Sequence, residues 1–161
     1  MTVGAPCSHQ MGRQPEPWIR PCALALVQAF LDKAVGVVLT IDASNPEESI
    51  REGSDMLFDL LTNPAVRKNG APILICCNKS DIGKAVEPAA LEKLMLKEME
   101  QLRKTRAQSI KSLDGTSSAA SIGVDGKAFE FDHVKGNRIR VARTSSQEPQ
   151  PVIQFIRELV R

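Results

Sequence analysis

Two runs, VGVVLTI over residues 35–41 and PILICC over residues 72–77, constrain this chain more than any other feature. Each is nearly unbroken in apolar character, and the first is rich in β-branched residues, as a strand covered on both faces requires. Helical patterns follow both runs. The order strand, helix, strand, helix favours a parallel sheet packed against helices, so the expected class is α/β with about three mostly parallel strands.

The intervening segments fill in this outline. Pro21 can open a helix in which Leu24, Val27 and Leu31 recur at helical spacing up to Lys33. Asn45 is placed to cap the next helix, with Pro46 at its first position and Glu48 completing the cap. Ile50, Leu57, Phe58 and Leu61 form its inward face, and it ends near Asn63 and Pro64. From Pro88, the set Leu91, Leu94, Met95 and Leu102 predicts a helix to about Arg106. Its Lys93, Lys97, Arg103 and Lys104 are interleaved with Glu92, Glu98 and Glu100, which reads as a solvated face. Residues 107–126 are rich in Ser, Ala, Gly and Asp without a period, and a mobile insertion is expected at about 107–137. Phe129 and Phe131 alternate with Glu130 and Asp132, and Ile139 and Val141 with Arg138 and Arg140, so both stretches are expected as short or edge strands. Pro149 starts a last helix with Val152, Phe155, Ile156 and Leu159 as its buried stripe.

At 161 residues, with 42% apolar and 25% charged residues, the chain fits one globular domain. A net charge of +2 is too small to argue for a nucleic-acid partner. Residues 1–21 carry Pro6, Pro15, Pro17 and Pro21 without a continuous apolar stretch, and read as an unstructured leader to a domain over residues 22–161. No apolar run approaches the ~20 residues that span a bilayer, so membrane association is expected only through a partner or through sequence outside this chain. Cys76 and Cys77 are neighbours on a strand and point to opposite faces, which makes them packing residues, while Cys7 and Cys22 lie in or just after the leader. A reducing, cytosolic setting fits this usage. His9 and His133 are remote, and no cysteine spacing suits a metal site.

In sheets of this kind ligands bind beyond the carboxyl ends of the strands. There the second run meets Asn78-Lys79-Ser80-Asp81, which matches the NKxD string of guanine-recognising proteins. A carboxylate at Asp81 can accept two parallel hydrogen bonds, from the ring N1–H and the exocyclic amino group of guanine, a pattern adenine does not offer. Asn78 can tie neighbouring loops together and reach the purine edge. The alkyl stem of Lys79 can cover the flat face of the base. Ser145 and Ser146, ahead of the last helix, stand where a second guanine-binding loop is expected; a plain serine-rich turn accounts for them equally well.

From Phe30 onward, VGVVLTIDAS, ILICCNKSDIGKA, KEMEQLRKTRAQS and GKAFEF together resemble the beta subunit family of the signal recognition particle receptor, a Ras-like small GTPase family. The resemblance implies the C-terminal part of a Ras-like P-loop GTPase fold, GTP as ligand and a receptor alpha subunit as partner. It also implies work at the cytoplasmic face of the endoplasmic reticulum in co-translational targeting. No GxxxxGK[ST] string is present, no DxxG precedes the first strand, and the family's N-terminal anchor has no counterpart. The expectation for this chain is therefore weak or absent GTP binding, no use of Mg²⁺ and no hydrolysis. In the Ras-like order the strand at residues 35–41 neighbours the strand leading to the phosphate loop, so its outer edge is expected open and prone to pairing. A nucleotide-free interaction module and a truncated relative of the Arf and Sar GTPases are the alternative readings.

Overall fold

The computed structural model describes residues 30–111, 122–124 and 126–160, with side chains placed outside residues 107–111. The leader and most of the helix expected from Pro21 lie outside the described residues. Three strands, β1 (Val37–Asp42), β2 (Ile73–Asn78) and β3 (Ile139–Arg143), form one sheet in the order β1-β2-β3. Both pairings are parallel, with Asp42 opposite Asn78 and Cys77 opposite Arg143. Helices α1 (Pro46–Thr62), α2 (Pro64–Asn69), α3 (Pro88–Lys111) and α4 (Gln150–Leu159) complete the α/β architecture.

The principal core lies between one sheet face and helices α1 and α3. Leu39, Ile41, Ile73, Ile75 and Cys77 meet Leu57, Phe58 and Leu61 of α1 and Leu91, Met95 and Met99 of α3, all buried. Full burial of such side chains contributes roughly 1.5–3 kcal/mol each. Gly53 permits the close approach of α1 to β1, since a Cβ there would stand 2.9 Å from Ile41 Cδ1. On the opposite face α4 places Phe155 against Leu74 and Cys76. Burial raises both thiols, Cys77 to about 11, consistent with packing residues that stay protonated.

Several expectations are corrected by the packing. β2 is buried along residues 73–77, but β1 is covered on one face only: Leu39 and Ile41 are buried while Val38 and Thr40 are exposed. Among the described residues β1 is the edge of the sheet, and α4 covers the far face over β2 and β3, reaching the β1 side at Gly36, just before the strand, where Leu159 packs. On α3 the inward line is Leu91, Met95 and Met99, one turn apart each, and Leu94 falls outside it at 44% exposure. On α4 Phe155 alone is buried, and Ile156 points outward. Asn45 makes no side-chain cap to α1; its amide donates to the Glu48 carboxylate at 3.4 Å, whereas Asn63 Oδ1 caps α2 by accepting from Ala65 N–H at 2.9 Å and Val66 N–H at 3.4 Å.

The largest correction concerns the segment before β3. Phe129 and Phe131 do not form a strand; Phe131 opens a 3₁₀ turn, Phe131–His133, and both rings are buried edge to face at 6.0 Å. Ile122 joins them in the core, so the stretch expected as a mobile insertion supplies buried residues, and α3 itself runs on to Lys111. Two residues assigned to the solvated face of α3 hold it there. Arg103 donates to the carbonyls of Val124 at 3.1 Å and Lys127 at 2.7 Å, and Glu100 accepts from Phe129 N–H at 3.1 Å. Below them, Asn137 is buried and its amide donates to the carbonyls of Val66 at 3.1 Å and Ala71 at 2.8 Å, joining the amino end of β3 to α2 and β2.

Candidate functional site

The carboxyl ends of all three strands converge on one edge of the sheet, where the parallel register sets Asp42 beside Asn78 and Arg143 beside Cys77. After β2 the chain turns sharply. Lys79 adopts a left-handed backbone with φ 60°, which is costly for a residue with a Cβ and must be held from outside. The hold comes from neighbouring strands. Ala43 N–H donates to the Asn78 carbonyl at 3.0 Å, Thr144 N–H to Cys77 at 3.0 Å and Ser80 N–H to Thr144 at 3.2 Å. The Ser80 hydroxyl closes the turn on the Cys77 carbonyl at 2.5 Å.

Beyond this seam lies an open cavity of about 360 Å³ lined by Ser80, Asp81, Arg143, Ser145, Gln147 and Glu148. Asp81 is exposed on it, and its carboxylate has no hydrogen-bond partner among the described residues. Ser145 is buried and anchors a tight turn, accepting from Glu148 N–H through its carbonyl and its hydroxyl, each at 3.1 Å. The turn leaves the backbone N–H groups of Ser146 and Gln147 without an acceptor among the described residues. Asp81 and Ser145 are thus brought together as cavity lining, while Asn78, Lys79 and Ser146 are not among the lining residues. Asn78 is half-buried at the strand end, and its side chain makes no hydrogen bond among the described residues.

Lys79 is engaged elsewhere. Its Nζ meets Asp42 Oδ2 at 2.5 Å, and Asp42 Oδ1 accepts from the Ser44 backbone at 2.9 Å and hydroxyl at 2.6 Å. The Lys79 ammonium, followed by the Ser44 hydroxyl, holds the Asp42 carboxyl down at about 2, against an ordinary 3.8. A carboxyl depressed in the folded state stabilises the fold above its unfolded value, and that contribution is lost as pH falls from about 4 through about 2. Carbon-detected NMR titration should place Asp42 near 2 in the intact chain and return it towards 3.8 in Lys79→Met. A midpoint unmoved by that substitution would assign the depression to Ser44 alone.

Sequence reasoning passed over Asp42 and Arg143 as site residues. The available signal was position: both stand at strand carboxyl ends, in register with Asn78 and Cys77.

Comparison with known proteins places this chain in a family. A family model described as signal recognition particle receptor beta subunit matches residues 22–139. Signal recognition particle receptor subunit beta of Mus musculus is 32% identical over 110 residues, covering 68% of this chain and 41% of that protein. The Homo sapiens protein of the same name is 30% identical over 112 residues, 69% of this chain and 41% of that one. Among solved structures, the mammalian SRP receptor superposes with a TM-score of 0.72 at 25% identity, covering 84% of this chain and 67% of that chain. The SRb-GDP-Mg structure from Chaetomium thermophilum gives 0.61 at 19% identity, over 75% of this chain and 60% of that one, a likeness of fold. The matched part of this chain spans about two fifths of the length of its curated relatives.

Proposed function

Because the chain belongs to the signal recognition particle receptor beta subunit family, we propose that it carries the base-recognising half of a GTP-binding receptor subunit for co-translational targeting. In this reading Asp81 accepts from guanine N1–H and the 2-amino group, and a free N–H of the turn at Ser145 and Ser146 donates to the guanine carbonyl. Asn78, whose side chain makes no hydrogen bond among the described residues, reaches the purine edge. Lys79 covers the base with its stem while its ammonium stays on Asp42. The observation that carries the reading is Asp81: an exposed carboxylate with no partner of its own, on a cavity at the strand carboxyl ends, facing a turn with unused donors.

These 161 residues contain no GxxxxGK[ST] string, so the phosphates have no backbone cradle. Guanosine, GDP and GTP should bind this chain with similarly weak affinity, independent of Mg²⁺, and GTP should not be hydrolysed. Calorimetry giving submicromolar, Mg²⁺-dependent GTP binding would contradict this. The proposed partner is the receptor alpha subunit, supported by the likeness to the mammalian SRP receptor. Among the described residues no helix is long and apolar enough to cross a membrane. Action at the cytoplasmic face of the endoplasmic reticulum would then rest on the partner or on sequence outside this chain.

A further inference from the structure

We infer that Arg143 is a positioning residue for base recognition, its guanidinium locking the turn that carries Asp81 onto the end of β3. The inference rests on the guanine reading of the cavity and adds to it a residue that the NKxD string does not contain. Arg143 closes β3, opposite Cys77. From there its Nη2 donates to the Ser80 carbonyl at 2.8 Å, and its Nη1 stands 4.0 Å from Glu87 Oε1, at the far end of the same loop.

The Ser80 carbonyl and the Asp81 N–H belong to one rigid peptide plane. Holding the oxygen of that plane fixes the Asp81 N–Cα bond, and so the place from which the Asp81 side chain departs. The turn depends on such a hold, because Lys79 is in the left-handed region and Asp81 has no side-chain partner among the described residues. Backbone bonds fix the Ser80 N–H side of the turn; Arg143 supplies the side-chain bond on its carbonyl side. Its planar fork can reach the carbonyl and the Glu87 carboxylate together, which a lysine ammonium on a flexible stem reproduces only in part.

A swivelling Asp81 can still meet one donor of the base but loses the geometry for two at once. The consequence falls on discrimination: guanine offers N1–H and the 2-amino group, whereas hypoxanthine offers N1–H alone. The test is an NMR titration of the 161-residue chain with guanosine and with inosine, nucleosides chosen to remove any phosphate contribution. The intact chain should prefer guanosine. In Arg143→Gln guanosine binding should weaken more than inosine binding, so that the preference falls about fivefold, the scale of one well-formed hydrogen bond, while thermal melting shows the chain still folded. Arg143→Lys should lie between. An unchanged guanosine-to-inosine ratio in Arg143→Gln overturns the inference while leaving the guanine reading standing. Equal losses for both nucleosides would make Arg143 a direct contact and overturn it too. No guanosine binding by the intact chain overturns the guanine reading, and this inference with it.

Discussion

Replacing Asp81 by Asn should turn a cavity that prefers guanine into one that prefers xanthine. The carboxylate accepts at both oxygens; the amide accepts at one position and donates at the other. Xanthine carries a carbonyl where guanine carries the 2-amino group, so it offers the matching acceptor. The variant loses a charge-assisted hydrogen bond to guanine and sets its own N–H₂ against the guanine amino group. Each such mismatch costs about 1.5–3 kcal/mol, so the ratio of guanosine to xanthosine affinity should invert by roughly two orders of magnitude. Competition between the two nucleosides, monitored on the same sample, reads the ratio directly. A ratio that stays in favour of guanosine would remove Asp81 from the site.

The second large effect concerns stability. Phe155 is the single buried residue of α4 and the anchor of that helix on Leu74 and Cys76. Phe155→Ala removes the ring and leaves a cavity, and should cost about 3–5 kcal/mol in urea unfolding. That is a large share of the roughly 5–15 kcal/mol that separates a folded domain from its unfolded chain, so partial unfolding at ambient temperature is expected. Arg140, whose guanidinium lies 5.5 Å from the ring centroid, loses its stacking surface at the same time. The control is its neighbour. Ile156 is 49% exposed, and Ile156→Ala should change stability by no more than about 0.5 kcal/mol. Comparable losses at the two positions would mean that α4 packs on a different face.

The contrast between those two residues shows how far the sequence alone could be read. Unbroken apolar character located β2, and the parallel order of the sheet followed from its alternation with helices. Helical spacing located α4 as well, but Phe155 and Ile156 are adjacent and equally apolar, and only the position of β2 beneath the helix decides which one is buried. The same ambiguity placed Leu94 on the inner face of α3 in error, where Met95 and Met99 serve. Phe129 and Phe131 mimicked strand alternation because both rings turn inward, Phe131 from the first position of a 3₁₀ turn and Phe129 from the chain just before it, in a segment pinned by Arg103 and Glu100 through contacts 24 and 29 residues apart in sequence. Such long-range bonds leave no local signal.

The site divides along the same line. Asp81 could be found because a short string sits at a place that topology marks for ligands. The pairing of Lys79 with Asp42 and the tie from Arg143 to Ser80 could not, because both span strands that only the sheet register brings together.

The central claim, that the cavity beyond β2 and β3 receives a guanine base, is tested most directly by mapping guanosine-induced shifts of the backbone amides in an isotope-labelled chain. The account predicts the largest shifts at Ser146 and Gln147, whose N–H groups lack an acceptor among the described residues, and at Asp81. It predicts none at a second open cavity, about 280 Å³ at the amino end of β3, which Phe131, Asn137 and Arg138 help to line. Saturable shifts confined to that second cavity, or no saturable shifts at all, would contradict it.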